Sequence, residues 1–371
     1  MKIDFINLPK RVSNYSYLIK KKFNKIFHDS DYILGKSLRE FEKKISKFTK
    51  SKYAIGVNSG YDALFLSLKC LDINYGDEVI TVSNTYVATV NAIVNIGATP
   101  VFVDIANDHN IDVSKIEEKI TNKTKAIICV HLTGNPCEMD KIIKIAKKNE
   151  IKIIEDCAQA IGAKFKKKHV GNFGEFGCFS LHPAKNLHVL GDGGFIITNK
   201  KDYYEKLTKL RNHGHTSREL IDSFGINSRL DSIQAAYANI MIEDYKNWQK
   251  KINRIAKLYN EKIDNKIIKP IIKPNSNHVY HNYILTTKYR DQLKNYLKKN
   301  GIETRIHYPI AIHHQKIFIK TFGKIKLPNT EKLSKEIISL PIYPELDVKK
   351  VKFIIKMINQ FFSYKSKNNL N

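Results

Sequence analysis

The chain has 371 residues, 42% of them hydrophobic and 27% charged, and its 63 Lys and Arg against 36 Asp and Glu give a formal net charge of +27. This length favours one large domain with a smaller one, and without a signal peptide or a run of 18 apolar residues we expect a cytoplasmic protein that spans no membrane. The lysines are spread through nearly every segment and accompany no nucleic-acid-binding motif, which favours a solvated basic surface over a nucleic-acid partner.

Two βαβ units are predicted between residues 53 and 200, where apolar β-rich runs alternate with helical patterns. The first consists of strand EVITVS (78–83), helix VATVNAIVNIG (87–97) and strand PVFVDI (100–105), and the second of strand AIICVHL (126–132), helix KIIKIAKKN (141–149) and strand IKIIED (151–156). Right-handed crossovers bring the carboxyl ends of such strands to one edge of the sheet, where open α/β sheets bind ligands. We therefore predict an α/β fold with its chemistry at that edge.

The pattern becomes helical after residue 200, and residues 229–263 predict one long or broken helix that links two domains. A second unit follows, with strands HVYHNYILTT (278–287) and IETRIHYP (302–309), helices RDQLKNYLKK (290–299) and VKKVKFIIKMINQFF (348–362), and a polar end, SYKSKNNLN, that we expect to fray. We predict a large domain over residues 1–250, with an N-terminal segment at 1–30, and a small C-terminal domain over 251–371.

The five cysteines form no CxxC pair and are odd in number, which argues against a closed disulfide framework. We expect buried thiols. A reactive thiol stays open as an alternative at Cys137 and Cys157, but neither position has the local sequence of a known nucleophile.

Two residues stand out as candidates for chemistry. Asp156 ends the strand IKIIED beside Glu155, and because side chains alternate along a strand, only one of the two carboxylates faces a given ligand. The structural alternative for this acid is a helix N-cap. Lys185 lies in the segment GCFSLHPAKNLHVLGDGGFIIT (177–198), after a proline and before a glycine cluster that either approaches a ligand closely or makes a tight turn.

A third feature is VNSGYDALFLSLKCL (57–71), where a Ser-Gly turn after a strand opens an amphipathic helix. Such a helix start offers unpaired N–H groups and a positive dipole to a phosphate, although any strand-to-helix turn could look the same. Walker and GxGxxG motifs are absent. Gly35, Lys36 and Ser37 imitate the end of a P-loop, but serine stands at position 30, where its first glycine would be.

The order of these features is more informative than any one of them. A phosphate-binding turn is followed by an aromatic residue after a strand, Tyr86, then by an acid that ends a later strand, and then by a lysine. The aromatic residue can stack on a pyridine ring, the acid can keep the ring nitrogen protonated, and the lysine can hold an aldehyde. This order predicts a site for pyridoxal 5'-phosphate (PLP).

The sequence also resembles a known family, the DegT/DnrJ/EryC1/StrS sugar aminotransferases, which have the aspartate aminotransferase fold (fold type I). The resemblance runs from about residue 30 to residue 345, through VNSGYDAL, GDEVITVSNTYVATVNAI, GATPVFVDI, VHLTGNPCEMD, IIEDCAQAIGA, FSLHPAKNL with GDGG, LRNHG, NSRLDSIQAA and TRIHYP. It implies a mixed central sheet in a large domain, a small C-terminal domain, and a homodimer whose active sites lie between subunits.

The resemblance also implies roles for individual residues. Lys185 corresponds to the lysine that forms the Schiff base with PLP, Asp156 to the partner of the pyridine nitrogen, Gln159 to a contact of the ring hydroxyl, and Tyr86 to the stacking aromatic residue. The phosphate contacts correspond to the backbone around Gly60 and Tyr61, the hydroxyl of Ser180, and Asn227 of the other subunit. Arg229, His307 and Tyr308 correspond to positions that meet the substrate or have structural roles. No metal site is expected.

Three positions depart from the family pattern. The family often has threonine where this chain has Tyr61, so only the N–H of that residue is expected at the phosphate. It often has an aromatic residue at the position of His182, where a histidine could touch substrate or phosphate, or only pack. Cys157 replaces a common alanine, and we expect a small packed side chain there.

The resemblance implies a ping-pong transamination in which PLP takes the amino group of L-glutamate and pyridoxamine phosphate, the intermediate form, aminates a keto-sugar carried by a nucleotide. The favoured substrate is a dTDP-3-keto-6-deoxyhexose, aminated at C3. A UDP-linked sugar aminated at C4, or a 3-keto-uronate, is the alternative, and a non-catalytic binding or regulatory protein is a distant one. Dehydratases that resemble the family carry histidine at the lysine position, so Lys185 favours transamination.

Overall fold

A computed structural model of the protein describes residues 1–368. Within this range the α-helices are α1 Leu8–Ser13, α2 Ser16–Asp29, α3 Lys36–Thr49, α4 Gly60–Cys70, α5 Val87–Asn95, α6 Met139–Lys148, α7 Lys201–Leu210, α8 Ser232–Lys262, α9 Arg290–Lys299, α10 Lys316–Phe322, α11 Pro328–Glu336 and α12 Val348–Asn368. The strands are β1 Tyr53–Val57, β2 Glu78–Val82, β3 Thr99–Val103, β4 Thr124–Val130, β5 Lys152–Asp156, β6 Lys164–Phe165, β7 Lys168–His169, β8 Phe176–Ser180, β9 Gly194–Thr198, β10 Ser276–Asn277, β11 Tyr283–Thr286 and β12 Ile337–Leu340. Short 3₁₀ helices lie at Val113–Lys115, Glu117–Lys119, Leu132–Gly134 and Ile312–His314.

A seven-stranded sheet with the order β1-β9-β8-β5-β4-β2-β3 forms the centre of the fold. The pairs β2–β3, β2–β4, β4–β5 and β5–β8 are parallel, whereas β9 is antiparallel to both of its neighbours. Both predicted βαβ units are present, as β2–α5–β3 and β4–α6–β5. The predicted α/β class with a mixed, mostly parallel sheet is confirmed, and β4, β5 and β8 end side by side at one edge.

Helices cover both faces of this sheet, which explains why its strands are almost continuously apolar. On one face α4, α5 and α7 contribute buried residues such as Leu64, Ile93 and Leu207 to the core. On the other face α3 and the first part of α8 contribute residues such as Phe41 and Tyr237. The sheet is thereby buried as a rigid support for the loops at its edge.

The predicted linking helix is one continuous helix, α8, of 31 residues. Its first part belongs to the core of the sheet, through residues up to Trp248, and its second part belongs to another core, from Ile252 onwards. That second core also contains residues of α9, α12, β11 and β12, together with Ile3 from the N-terminal segment. A domain boundary near residue 250 stays a proposal.

Of the two strands predicted in the C-terminal part, one is shorter than predicted and the other is wrong. In 278–287 only Tyr283–Thr286 is a strand, because Tyr280 has a positive φ of 50° and the N–H groups of Val279 and His281 donate to Gly134 and Thr133. Residues 302–309 form no strand, because their backbone hydrogen bonds go to several separate segments, including Ile3 and Ser339. The antiparallel partner of β11 is β12, which the sequence pattern did not predict.

The predicted fraying of SYKSKNNLN is also wrong in part, because α12 continues through Asn368. Residues 369–371 lie outside the described range. No helix within residues 1–368 is both long enough and apolar enough to cross a membrane.

Candidate active site

A cleft of about 430 Å³ lies at the edge of the sheet where β4, β5 and β8 end. Nine of the residues predicted for the site line it: Gly60, Tyr61, Tyr86, Asp156, Gln159, Ser180, Lys185, His307 and Tyr308. They come from five separate parts of the chain. The topology therefore brings together most of the residues that the sequence singled out.

Asp156 is buried at the end of β5 and faces this cleft. Its Oδ2 accepts a hydrogen bond from the Thr89 hydroxyl at 2.8 Å, and its Oδ1 accepts one from the N–H of Ala158 at 3.1 Å. Thr89 is linked in turn to the hydroxyl of Thr85 at 2.9 Å. The N-cap alternative for Asp156 is wrong, because turns and not a helix follow β5.

Glu155, the neighbouring carboxylate, has a different environment, as strand alternation predicts. Its side chain is fully buried and accepts hydrogen bonds from the N–H groups of Gly171, Phe173 and Gly174 at 2.6–2.9 Å. Its Oε2 also lies 3.0 Å from Nε2 of His131. Glu155 therefore holds the chain that precedes β8, and Asp156 is the carboxylate available to a ligand.

Lys185 lies in the loop between β8 and β9, where its N–H donates to the carbonyl of His182 at 2.8 Å. Its Nζ makes no hydrogen bond or ion pair within residues 1–368. Burial lowers the pKa of Lys185 from 10.5 to about 8, and the opposing effect of the Asp156 charge only partly offsets it. A large fraction of this amine is neutral near pH 8, which is the form that attacks an aldehyde.

The start of α4 forms a cradle with the end of β8. Ser59 caps the helix by accepting from the N–H of Asp62, while the N–H groups of Gly60 and Tyr61 have no acceptor among the described residues. A Cβ atom on Gly60 would lie 2.7 Å from the Cβ of Ser180, so only glycine lets the two segments approach this closely. These N–H groups and the Ser180 hydroxyl suit a phosphate.

The hydroxyl of Tyr61 accepts a hydrogen bond from the Asn95 amide at 2.8 Å. The hydroxyl is therefore bonded to the last residue of α5, which agrees with the expectation that only the N–H of Tyr61 contacts a phosphate.

Tyr86 precedes α5 and is 58% exposed at the cleft, with its ring centroid 6.1 Å from that of Tyr308. An exposed ring at this position has room to stack on a flat ligand.

Gln159 connects two walls of the cleft. Its Oε1 accepts from the N–H of Thr133 at 2.7 Å, and its Nε2 donates to the hydroxyl of Tyr308 at 3.2 Å. Burial, together with the charge of Asp156, raises the pKa of Tyr308. The phenol is therefore neutral at physiological pH and can act as a hydrogen-bond donor.

Four histidines line the cleft, and in three of them, His182, His281 and His307, the pKa is lowered by burial and then by neighbouring positive charges that include Lys185. His307 reaches a pKa of about 4, and its Nδ1 lies 2.9 Å from the Ser339 hydroxyl. His281 bonds to the side chain of Asn186 at 2.8 Å, and Nδ1 of His182 accepts from the N–H of Ala184 at 3.2 Å. The three rings therefore provide neutral polar groups.

Two predicted residues lie outside the cleft of this chain. Asn227 is exposed and pairs through its backbone with Asn212. Arg229 donates to the side chain of Asn212 at 3.1 Å and lines a separate surface hollow of about 360 Å³. Their predicted place was the site of another subunit, so a single chain leaves this prediction untested.

Thr89 and His281 also line the cleft, although neither is among the residues that the sequence predicts for the site. Thr89 lies among apolar residues of α5, and His281 lies in a segment that is predicted as a strand.

The five cysteines are all free and buried, and burial raises the pKa of each thiol. The packing role expected for Cys137 and Cys157 is thereby favoured over a reactive one.

One α/β cleft contains a buried carboxylate, a lysine of lowered pKa whose amine has no partner within residues 1–368, and a phosphate cradle. Together they define the class of protein as a PLP-dependent enzyme of fold type I. The sequence model of the DegT/DnrJ/EryC1/StrS aminotransferase family matches residues 16–359. The chain belongs to this family.

Relatives and solved structures agree with this assignment. The chain is 41% identical to a dTDP-3-amino-3,6-dideoxy-alpha-D-galactopyranose transaminase of Aneurinibacillus thermoaerophilus, over 97% of this chain and 99% of that one. It is 38% identical to a UDP-N-acetyl-3-dehydro-alpha-D-glucosamine 3-aminotransferase of Acidithiobacillus ferrooxidans, over 91% of each. The structure of S. venezuelae DesV, in complex with a ketimine intermediate, matches with a TM-score of 0.94 at 33% identity, over 97% of this chain and 98% of that one.

The protein is therefore a PLP-dependent aminotransferase, and both the predicted cofactor and the predicted class of enzyme are confirmed. The observed residues fit PLP, because the Gly60 cradle, Asp156 and Lys185 provide a place for its phosphate, its ring nitrogen and its aldehyde. The distant alternative of a non-catalytic binding protein is thereby disfavoured.

Proposed function

We propose that the protein transfers the amino group of L-glutamate to the C3 keto group of a dTDP-3-keto-6-deoxyhexose, giving the dTDP-3-amino-3,6-dideoxyhexose. One structural observation carries the reaction: the amine of Lys185, whose pKa burial lowers to about 8, lines the same cleft as the buried carboxylate of Asp156. The 41% identity with the A. thermoaerophilus transaminase, over almost the whole of both chains, supports the choice of sugar.

When bound, PLP supplies an aldehyde that accepts an amino group and a ring that withdraws electrons. Asp156 would hold a proton on the ring nitrogen, and Thr89 and Ala158 fix this carboxylate through one hydrogen bond to each oxygen. The Nε2 of Gln159 would contact the ring hydroxyl, and Tyr86 would lie against the ring. The N–H groups of Gly60 and Tyr61, with the Ser180 hydroxyl, would bind the phosphate.

Lys185 has a second task, as general base and general acid. Its Nζ takes the proton from Cα of glutamate in the first half-reaction and delivers a proton to C3 of the sugar in the second. A pKa of about 8 lies close to the pH at which the enzyme must accept and release that proton, which is the condition for efficient transfer.

We also propose that the enzyme is a homodimer. Asn227 and Arg229 lie outside the cleft of their own chain, and the family resemblance gives Asn227 to the cleft of a second copy. There Asn227 would complete the phosphate site, while Arg229, with His307 and Tyr308, would meet the substrate.

A UDP-linked keto-sugar is the second candidate substrate, aminated at C4 or as a 3-keto-uronate at C3. This candidate is supported by the 38% identity with the A. ferrooxidans enzyme, whose name gives a UDP-linked sugar. It stands behind the first choice because both the identity and the coverage are lower.

The test is a comparison of pure keto-sugars at matched concentrations. The purified protein, loaded with PLP, is given L-glutamate and either the dTDP-3-keto-6-deoxyhexose or one of the UDP-linked keto-sugars, and the amino sugar is quantified by mass spectrometry. We expect kcat/KM for the dTDP sugar to be higher by at least about tenfold, or about 1.4 kcal/mol in transition-state stabilisation. A higher kcat/KM for a UDP-linked sugar would overturn the choice.

A further inference from the structure

Arg305 is a positively charged residue in the wall of the cleft with no role assigned so far. We propose that its guanidinium binds the carboxylate of the amino donor, an inference that rests on the proposed aminotransferase function. Arg305 lines both the cleft and a smaller adjoining hollow of about 70 Å³, and Lys185 lines both as well. It therefore lies on the side of the cleft where the amino group is exchanged.

The charges in the cleft single out this residue. Among the described residues that line it, Arg305 and Lys185 are the only Arg or Lys, although the chain has 63 of them. Lys185 has to lose its charge to react. The three histidines with lowered pKa are neutral, and His131 accepts an N–H at Nδ1, so its one ring proton faces Glu155. Arg305 is thus the permanent positive charge that this chain supplies to the cleft.

The guanidinium of Arg305 is held in place and still has free donors. Its carbon lies 5.1 Å from the centroid of the Phe5 ring, and Nη2 donates to Oε1 of Glu303 at 3.3 Å. The other oxygen of Glu303 accepts the N–H of Phe5 at 2.9 Å, while the backbone of Arg305 exchanges two hydrogen bonds with Ser339. The side chain is 51% exposed, and no other guanidinium nitrogen has an acceptor within residues 1–368.

The ion pair with Glu303 leaves the charge usable. Both side chains are about half exposed, at 51% and 47%, and ion pairs this exposed are weak because water screens the two charges. A carboxylate that enters the cleft can therefore form the bidentate, charge-assisted pair that suits arginine without competing against a strong interaction.

The position of Arg305 in the cleft favours the carboxylate of the amino donor over the diphosphate of the nucleotide sugar as its ligand. In an amino acid the α-carboxylate is attached to the same carbon as the amino group, so it must lie close to the atoms that Lys185 serves. In a nucleotide sugar the diphosphate is separated from the C3 ketone by part of the sugar ring. A cation on the Lys185 side of the cleft therefore matches the amino acid.

The test separates the two substrates by measuring two half-reactions of the PLP-loaded full chain in a stopped-flow spectrometer. One uses L-glutamate and the other uses the amino-sugar nucleotide in the reverse direction, and the visible absorbance of the cofactor reports both. For Arg305→Met we expect the apparent Kd for L-glutamate to rise roughly 10- to 100-fold, as for the loss of a hydrogen bond to a charged group. The apparent Kd for the amino-sugar nucleotide should stay within about threefold.

Three further variants make the result specific. Arg254→Met removes an exposed arginine of α8 that lies outside the cleft and should leave both half-reactions unchanged. Arg305→Lys should keep part of the glutamate affinity. Phe5→Leu removes the ring beside the guanidinium and should raise the Kd for glutamate by about two- to fivefold, as for an exposed cation–π contact.

Three outcomes would overturn the proposal for Arg305: unchanged glutamate affinity in Arg305→Met, a loss confined to the amino-sugar nucleotide, or an equal loss with both substrates. A wild-type enzyme that takes no amino group from either substrate would refute the proposed function instead. The two failures are therefore distinguishable.

Discussion

Lys185 should titrate far below an ordinary lysine, and this can be measured on the apoprotein. Its pKa of about 8 means that about half of the amine is neutral at pH 8. A lysine with the usual pKa of about 10.4 would be neutral to only about 0.4% at that pH. Only the neutral amine attacks an aldehyde, so the neutral fraction, and with it the rate of capture, increases as the pH rises through the pKa.

The assay follows the visible absorbance when PLP is mixed with apoprotein at pH values between 7 and 11. At least about 90% of the PLP phosphate is doubly ionised throughout this range, because its second pKa is about 6. We expect the rate to rise with pH with a midpoint near pH 8 and to level off above about pH 9 to 10, where nearly all of the amine is neutral. In Asp156→Asn the midpoint should move to lower pH, because the Asp156 charge raises the pKa of Lys185. A midpoint near 10.4, or an upward move in Asp156→Asn, would refute the reasoning.

Three other predictions concern packing and burial. Gly60→Ala forces a methyl group to within 2.7 Å of Ser180, at about 1–3 kcal/mol for overpacking, and should weaken PLP binding in a fluorescence titration, whereas an unchanged Kd would contradict the cradle. Glu345→Gln leaves the buried guanidinium of Arg11 without its charge partner and should lower the free energy of unfolding in urea by about 3–5 kcal/mol. An unchanged midpoint of urea unfolding would contradict a stabilising role for this ion pair. Ellman's reagent should find less than one reactive thiol in the native protein and five in denaturant, and rapid reaction of a native thiol would show that the cysteines are accessible.

The strands and helices that could be predicted are those whose apolar pattern lies within a single short segment of the sequence. Apolar runs such as IKIIED identify strands because both faces of the sheet are buried, and the intervening helices carry their own periodicity. The segment 302–309 is also predicted as a strand, yet its backbone hydrogen bonds go to several separate segments, among them Ile3 and Ser339. The sequence pattern alone did not reveal these partners.

The candidate site could likewise be predicted only in part. Asp156 and Lys185 follow strand ends, and the family resemblance assigns them roles. Strand alternation alone says only that Asp156 and Glu155 face opposite ways, so the choice of Asp156 came from the family resemblance, and the structure agrees because only Asp156 lines the cleft. Thr89 contacts Asp156 across 67 positions of sequence, and Arg305 enters the cleft from the C-terminal part of the chain. Such long-range contacts depend on the packed fold and leave no signal in a single sequence.

The most direct test of aminotransferase chemistry at this site is Lys185→Ala, assayed for amino transfer from L-glutamate to the dTDP-3-keto-6-deoxyhexose and for the visible absorbance of bound PLP. Lys257→Ala, which removes an exposed lysine of α8, is the matched control. We predict that Lys185→Ala loses turnover by at least about a hundredfold, the usual contribution of a general acid–base group, while the control keeps full activity. Turnover by Lys185→Ala equal to that of the control would contradict the central role of this lysine.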